Sequence, residues 1–183
     1  MKKLIHHLRA LFHLSLHYSK FEEIVWRHLK KYHASENFHS GIYENEKRIL
    51  TVFTLKEGVD IHFHYRVVGG RLQYRSRAVD YFDPELTTDM FVLATHFNNL
   101  LRAGKVLVDP EHNYVDFLME SDYTTLILYP GEIGVDAGVH FRTTYDVHWA
   151  FHKLMTDREE PAIIIADLMR QKDEEKDRNN SVN

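Results

Sequence analysis

Cysteine is absent from the 183 residues. Disulfides, thiolate metal sites and a cysteine nucleophile are therefore excluded. The absence fits a reducing compartment, and a cytoplasmic location is expected. Long hydrophobic runs are also missing. No stretch reaches the roughly 18 apolar residues that span a bilayer, so no membrane span is expected. Met1-Lys2-Lys3-Leu4-Ile5 resembles the start of a signal peptide. However, His6, His7, Arg9, His13 and His17 break the apolar run, and no small-residue cleavage site follows. The segment reads as a helix that stays on the mature protein.

Positive charge is not in excess. The formal net charge is -4, which argues against a chain that binds nucleic acid over its whole surface, so no nucleic-acid partner is expected. Catalytic signatures are missing too. There is no Gly-x-Ser-x-Gly elbow, no His-Glu-x-x-His and no phosphate-binding Gly-Lys-Ser/Thr. Gly131, Gly134 and Gly138 have neither dinucleotide nor P-loop spacing. No cofactor and no catalytic residue are assigned.

What is present is core-forming material and histidine. Hydrophobic residues make up 44% and aromatics 13%, enough for one domain with a real core. Leu4, Ile5, Leu8, Leu11 and Phe12 recur at helical spacing, with basic and histidine side chains opposite. This N-terminal arm reads as a helix docked on the core or on a second subunit, with a peripheral membrane helix as the competing reading. Ser19 and Glu22 have capping-box spacing ahead of a second helix carrying Phe21, Ile24, Val25 and Leu29. A short strand is expected near Ile42-Tyr43.

Ile49, Thr51, Phe53 and Leu55 alternate as a strand. Val59, Ile61, Phe63, Tyr65 and Val67 then alternate with Asp60, His62, His64 and Arg66, the pattern of a half-buried strand. Gly69-Gly70 suits a two-residue hairpin loop. With that loop, Val67 faces Leu72, Tyr65 faces Tyr74 and Phe63 faces Ser76. On the other face, Arg66 meets Gln73, His64 meets Arg75 and His62 meets Arg77. A one-residue slip would mix the faces.

Asp83-Pro84-Glu85 predicts a helix start, and Gly104 is expected as its left-handed C-terminal residue. Phe63, Tyr65 and Tyr74 are expected to pack on this helix. Strands are predicted at Lys105–Asp109, Tyr114–Glu120 and Tyr123–Tyr129, and a loop over Pro130–Gly138. A helix follows from about Thr143 to Met155, with Thr143 and Asp146 at cap spacing, and Pro161 opens a last one. After Gln171 the tail is expected to be disordered. The expected organisation is an N-terminal helical arm (1–33), a single α+β domain (34–171) and a polar tail (172–183).

His148 and His152, four apart on a helix, have a spacing that can hold a metal, as do His13 and His17. One packed and one exposed histidine is the simpler reading of each pair, and no metal site is assigned. His62 and His64 share a strand face opposite Arg75 and Arg77, which would repel a cation. The face formed by His62, His64, Arg66, Arg75 and Arg77 is better suited to an acidic partner segment or a phosphate. A merely solvated sheet face is the plainer alternative.

The order of elements resembles the YbjN-like family, whose fold is shared with type III secretion chaperones. The stretch Ala94-Thr95-His96-Phe97-Asn98-Asn99-Leu100-Leu101-Arg102-Ala103-Gly104-Lys105-Val106-Leu107-Val108-Asp109 carries the likeness. It is similar to the family's central helix, which ends near an Asn and a Gly and feeds a strand. Glu160-Pro161-Ala162-Ile163-Ile164-Ile165-Ala166-Asp167-Leu168-Met169 is similar to its closing helix. The resemblance covers about Arg48–Gln171. It implies a secretion-chaperone-like α+β fold, with an antiparallel sheet packed against helices. It also implies a non-enzymatic regulator or protein-binding module, often dimeric, with no catalytic residues to carry over. The histidine-rich arm and the strand expected at Tyr123–Tyr129 depart from the family pattern.

The leading expectation is thus a chaperone-like module that binds a protein partner, with a homodimer expected. The alternative is a histidine-dependent metal- or small-ligand-binding protein, including a hydrolase.

Overall fold

The computed structural model describes residue 12, residues 18–55 and residues 58–180. The helix expected over 3–17, with the His13/His17 pair, lies outside these residues apart from Phe12, which is helical and exposed. In chain order the elements are α1 (Tyr18–Ser35), β1 (Ser40–Tyr43), a 3-10 turn (Glu44–Glu46), β2 (Arg48–Thr54), β3 (Asp60–Val68), β4 (Arg71–Val79), a second 3-10 turn (Pro84–Leu86) and α2 (Thr87–Leu100). They continue with β5 (Lys105–Asp109), β6 (Tyr114–Asp122), α3 (Tyr123–Leu128), α4 (Glu132–Asp157) and α5 (Pro161–Asn180). The strands form an antiparallel sheet in the order β1-β2-β3-β4-β6-β5, so the chain is α+β as its alternating patterns predict. No helix among the described residues is long and apolar enough to cross a membrane. By its contacts the chain divides into two compact units. One contains residues up to Ser76 with Leu118–Phe141, and the other contains Arg77–Phe117 with the residues from Arg142 onward.

The first unit is organised by the hairpin at Gly69-Gly70. Both glycines take positive φ, 58° and 84°, which a side chain would oppose and which matches the twist of the flanking strands. The register is the predicted one: Val68 pairs with Arg71, Val67 with Leu72, Arg66 with Gln73, Tyr65 with Tyr74, His64 with Arg75 and Phe63 with Ser76. Ile61, Phe63, Tyr65 and Val67 are buried on one face with Leu72, Tyr74 and Ser76. Helix α1 turns Val25, Leu29 and His33, four apart, into the same interior. Its middle is tied to the first 3-10 turn. Trp26 Nε1 and Lys30 Nζ donate to Glu44 at 2.8 and 2.7 Å, and Lys47 is paired with Glu22 and Glu23.

Three expectations change here. The rings that cover Phe63 and Tyr65 come from α1 and α4, not from the helix after Asp83. His33 meets Tyr65 at 4.7 Å, and His140 and Phe141 meet Phe63 at 5.3 and 5.6 Å. Second, Tyr123–Leu128 is a helix, not a strand. Asp122 caps it, accepting from Thr125 N at 3.0 Å and Thr125 Oγ1 at 2.7 Å, and Tyr123, Leu126 and Ile127 are buried at helical spacing. Third, Pro130–Gly138 is not a loop. Helix α4 begins at Glu132, so Thr143 lies inside it and caps nothing. Gly134 lies within this helix, and α1 comes so close that a Cβ there would lie 3.1 Å from Tyr32 Cε2.

In the second unit, Asp83 caps as predicted, its Oδ1 accepting from Glu85 N at 3.0 Å with Pro84 in the first turn. That turn is 3-10, and α2 follows with Met90, Leu93, Ala94 and Phe97 buried. The helix stops at Leu100, before Gly104, because Asn98 takes over its C-terminal end. The Asn98 side chain donates to Val106 O at 3.1 Å and accepts from Val106 N at 2.7 Å. Gly104, at φ 82°, then turns the chain into β5. Helix α2 contacts β5 and α5, and Phe97 meets Phe151 of α4 at 6.2 Å. The segment after Gln171, expected as a disordered tail, continues α5 as helix to Asn180 and is exposed over residues 172–178. Its Gln, Lys, Glu and Arg residues are good helix formers, and Lys172 is ion-paired with Asp146 of α4.

Candidate functional site

Strand alternation sends every second side chain of β2, β3 and β4 to the face opposite α1 and α4. Across β2 and β3, Arg48 pairs with Arg66, Leu50 with His64, Val52 with His62 and Thr54 with Asp60. On this face in the first unit, His62, Arg66 and Arg75 are exposed and His64 is half-buried. Leu50 is half-buried and Val52 exposed, so apolar surface lies between the cations.

The carboxylates nearby are already engaged. Thr54 Oγ1 donates to Asp60 at 2.5 Å. Glu120 accepts from Gln73 Nε2 at 2.8 Å and lies 3.7 Å from Arg71. Glu46 lies 3.0 Å from Arg48, whose guanidinium also stacks over Tyr43 at 4.3 Å. Among the described residues no carboxylate is paired with Arg66. The structure thus brings four of the five predicted residues, His62, His64, Arg66 and Arg75, onto one face of one unit. Arg77 belongs to the other unit, where its charge is committed. Its Nε donates to Asp116, which is 1% exposed, at 3.0 Å, and its guanidinium lies 3.6 Å from the centre of the Tyr114 ring. Nothing in the spacing of the sequence points to Asp116, 39 positions away.

The histidines divide by environment. His148 Nδ1 donates to Ala78 O at 2.8 Å, leaving one ring nitrogen, and the His152 ring is 5.8 Å away. Among the described residues no group of three or more His, Asp and Glu is placed to hold a metal. Ser76 Oγ lies 3.5 Å from His140 Nε2, a serine–histidine pair that periodicity did not disclose. Both residues are 0% exposed, so no substrate reaches that hydroxyl, and the pair serves the core. His33 is also buried. Its Nδ1 lies 3.1 Å from Ser40 Oγ, and burial lowers its pKa to about 4. It is neutral near pH 7 and adds nothing to the basic face.

Chemically, the outer face offers cations with apolar spacers and no built nucleophile, acid–base pair or metal centre among the described residues. Compared with known proteins, the chain matches no family model and no curated protein.

Proposed function

We propose that this chain is a non-enzymatic, chaperone-like regulatory module that binds an acidic segment of a protein partner on the outer face of β2–β4. The observation that carries the reading is Arg66, exposed and without a carboxylate among the described residues, set beside exposed Arg75 and His62 with Leu50 and Val52 between. An antiparallel sheet facing water usually mixes charge signs along its rows. Here Asp60, Glu120 and Glu46, the carboxylates beside the face, are engaged by other side chains, so an incoming carboxylate gains charge-assisted hydrogen bonds.

The YbjN-like resemblance supports a secretion-chaperone-like fold and a protein partner, and the absence of cysteine supports a cytoplasmic setting. A homodimer is part of the proposal. Helix α2 exposes Phe91, Val92 and Leu100, apolar side chains that a second copy would cover. Light scattering at high micromolar concentration tests this, and a strict monomer contradicts it.

Fluorescence anisotropy with a labelled peptide of alternating Glu and Leu, nine residues long to match β3, tests the face. Saturable binding of this peptide, with none of a Lys/Leu counterpart, is expected. Equal binding of both peptides, or of neither, contradicts the reading.

A further inference from the structure

We propose that a hollow in the first unit, walled by Tyr32, Phe38, Phe53 and Phe141 and floored by Tyr65 and Gly138, binds a small uncharged aromatic molecule about the size of indole. This site is separate from the basic face and does not depend on it.

The hollow has a volume of about 250 Å³. A dry cavity of about 150 Å³ is enough for benzene, so a fused bicyclic ring fits. Among the described residues no charged side chain lines it, which disfavours an ion without a counter-charge. The wall rings brace one another edge to face. Tyr32 meets Phe38 at 80°, Phe38 meets Phe53 at 89° and Phe53 meets Phe141 at 78°, with centroids 5.1–6.0 Å apart. All four are only half-buried, so the hollow opens to solvent. Pre-formed aromatic walls of this kind suit a flat apolar ring.

Gly138 makes the case. A glycine inside a helix costs about 1 kcal/mol relative to alanine, and it lies well within the 26-residue α4. Gly134, one turn earlier on the same helix face, has a steric reason to be glycine, since a Cβ would press on Tyr32. Gly138 has none: a Cβ there meets nothing within 4 Å. What its missing side chain does is keep the floor open. A solvent-open hollow kept clear by an unfavourable residue within an aromatic cluster suits a flat ring that enters from solvent. His33 packs edge-on behind Tyr32, Phe38 and Tyr65.

Titration of the full chain with indole, followed by amide chemical shifts and calorimetry, tests the proposal. Saturable shifts at Tyr32, Phe53, Gly138 and Phe141 are expected, with none from tetramethylammonium. Gly138→Leu should fill the floor, keep or raise the melting temperature, and weaken indole binding at least tenfold. Phe38→Ala, at the half-buried rim, should weaken it several-fold and serves if the leucine variant does not fold. Absence of saturable shifts, unchanged affinity in a folded variant, or preference for tetramethylammonium overturns the proposal. A dimer that indole or Gly138→Leu dissociates would also overturn it, by assigning the hollow to a second copy.

Discussion

Arg48 of β2 and Arg66 of β3 face each other directly across the sheet, and among the described residues only Arg48 has a carboxylate beside it. Like charges opposed in this way destabilise a strand pair. Glu46 and the Tyr43 ring draw Arg48 aside, leaving Arg66 as a cation that costs the fold stability. Arg66→Thr is therefore expected to leave stability unchanged or raise it by about 0.2–1 kcal/mol in urea unfolding. The gain should shrink at high salt. A clear loss of stability would show that Arg66 is a structural residue.

Arg77 is expected to behave in the opposite way. Asp116 is 1% exposed, and Arg77 is the cation beside it. Arg77→Ala takes a cation away from a buried carboxylate and should cost up to about 3 kcal/mol. The double change Arg77→Leu with Asp116→Leu should recover most of that loss. Urea unfolding of the two variants decides it, and equal losses would contradict the account.

Asn98 ends α2 and starts β5 through two hydrogen bonds to Val106. Asn98→Ala leaves both Val106 backbone groups without this partner and should cost about 1–3 kcal/mol. Amide exchange at Val106 should speed up more than at Met90, in the middle of α2. Asn98→Asp keeps the acceptor and loses the donor, so its effect should be intermediate.

His33 makes stability depend on pH. Its folded pKa, about 4, lies below the ordinary 6.5. Between these values the unfolded chain binds the proton more readily. Stability is therefore full above about pH 6.5 and falls as pH drops towards 4, by at most about 3 kcal/mol. His33→Gln should flatten the slope in that window relative to the wild type. Parallel pH–stability curves for the two proteins would show that His33 is not the group responsible.

Legibility in the sequence followed locality. The hairpin was readable to the residue because strand period and two adjacent glycines agree, and a slip at Gly69-Gly70 would have exposed Phe63 and Tyr65. The cap at Asp83-Pro84 was readable for the same reason. Tyr123–Leu128 was misread because Thr124, Thr125 and Ile127 are β-branched and favour strands. The correcting signals were Asp122 three residues before Thr125 and the helical spacing of Tyr123, Leu126 and Ile127. Gly134 reads as a loop residue because its role depends on α1, about a hundred positions earlier in the chain. Four basic-face residues followed from strand alternation alone. The fifth, Arg77, obeyed the same alternation, yet its charge is set by Asp116, a contact that no local pattern encodes.

The central claim is that the outer face of β2–β4 recognises acidic chain through Arg66 and Arg75. Anisotropy titration of the Glu/Leu peptide against wild type and the Arg66→Glu plus Arg75→Glu variant, at about 50 and about 300 mM NaCl, tests it most directly. The account predicts wild-type binding that weakens at the higher salt, and at least a tenfold loss in the variant with its melting temperature retained. Equal affinity of the two proteins at low salt would contradict it.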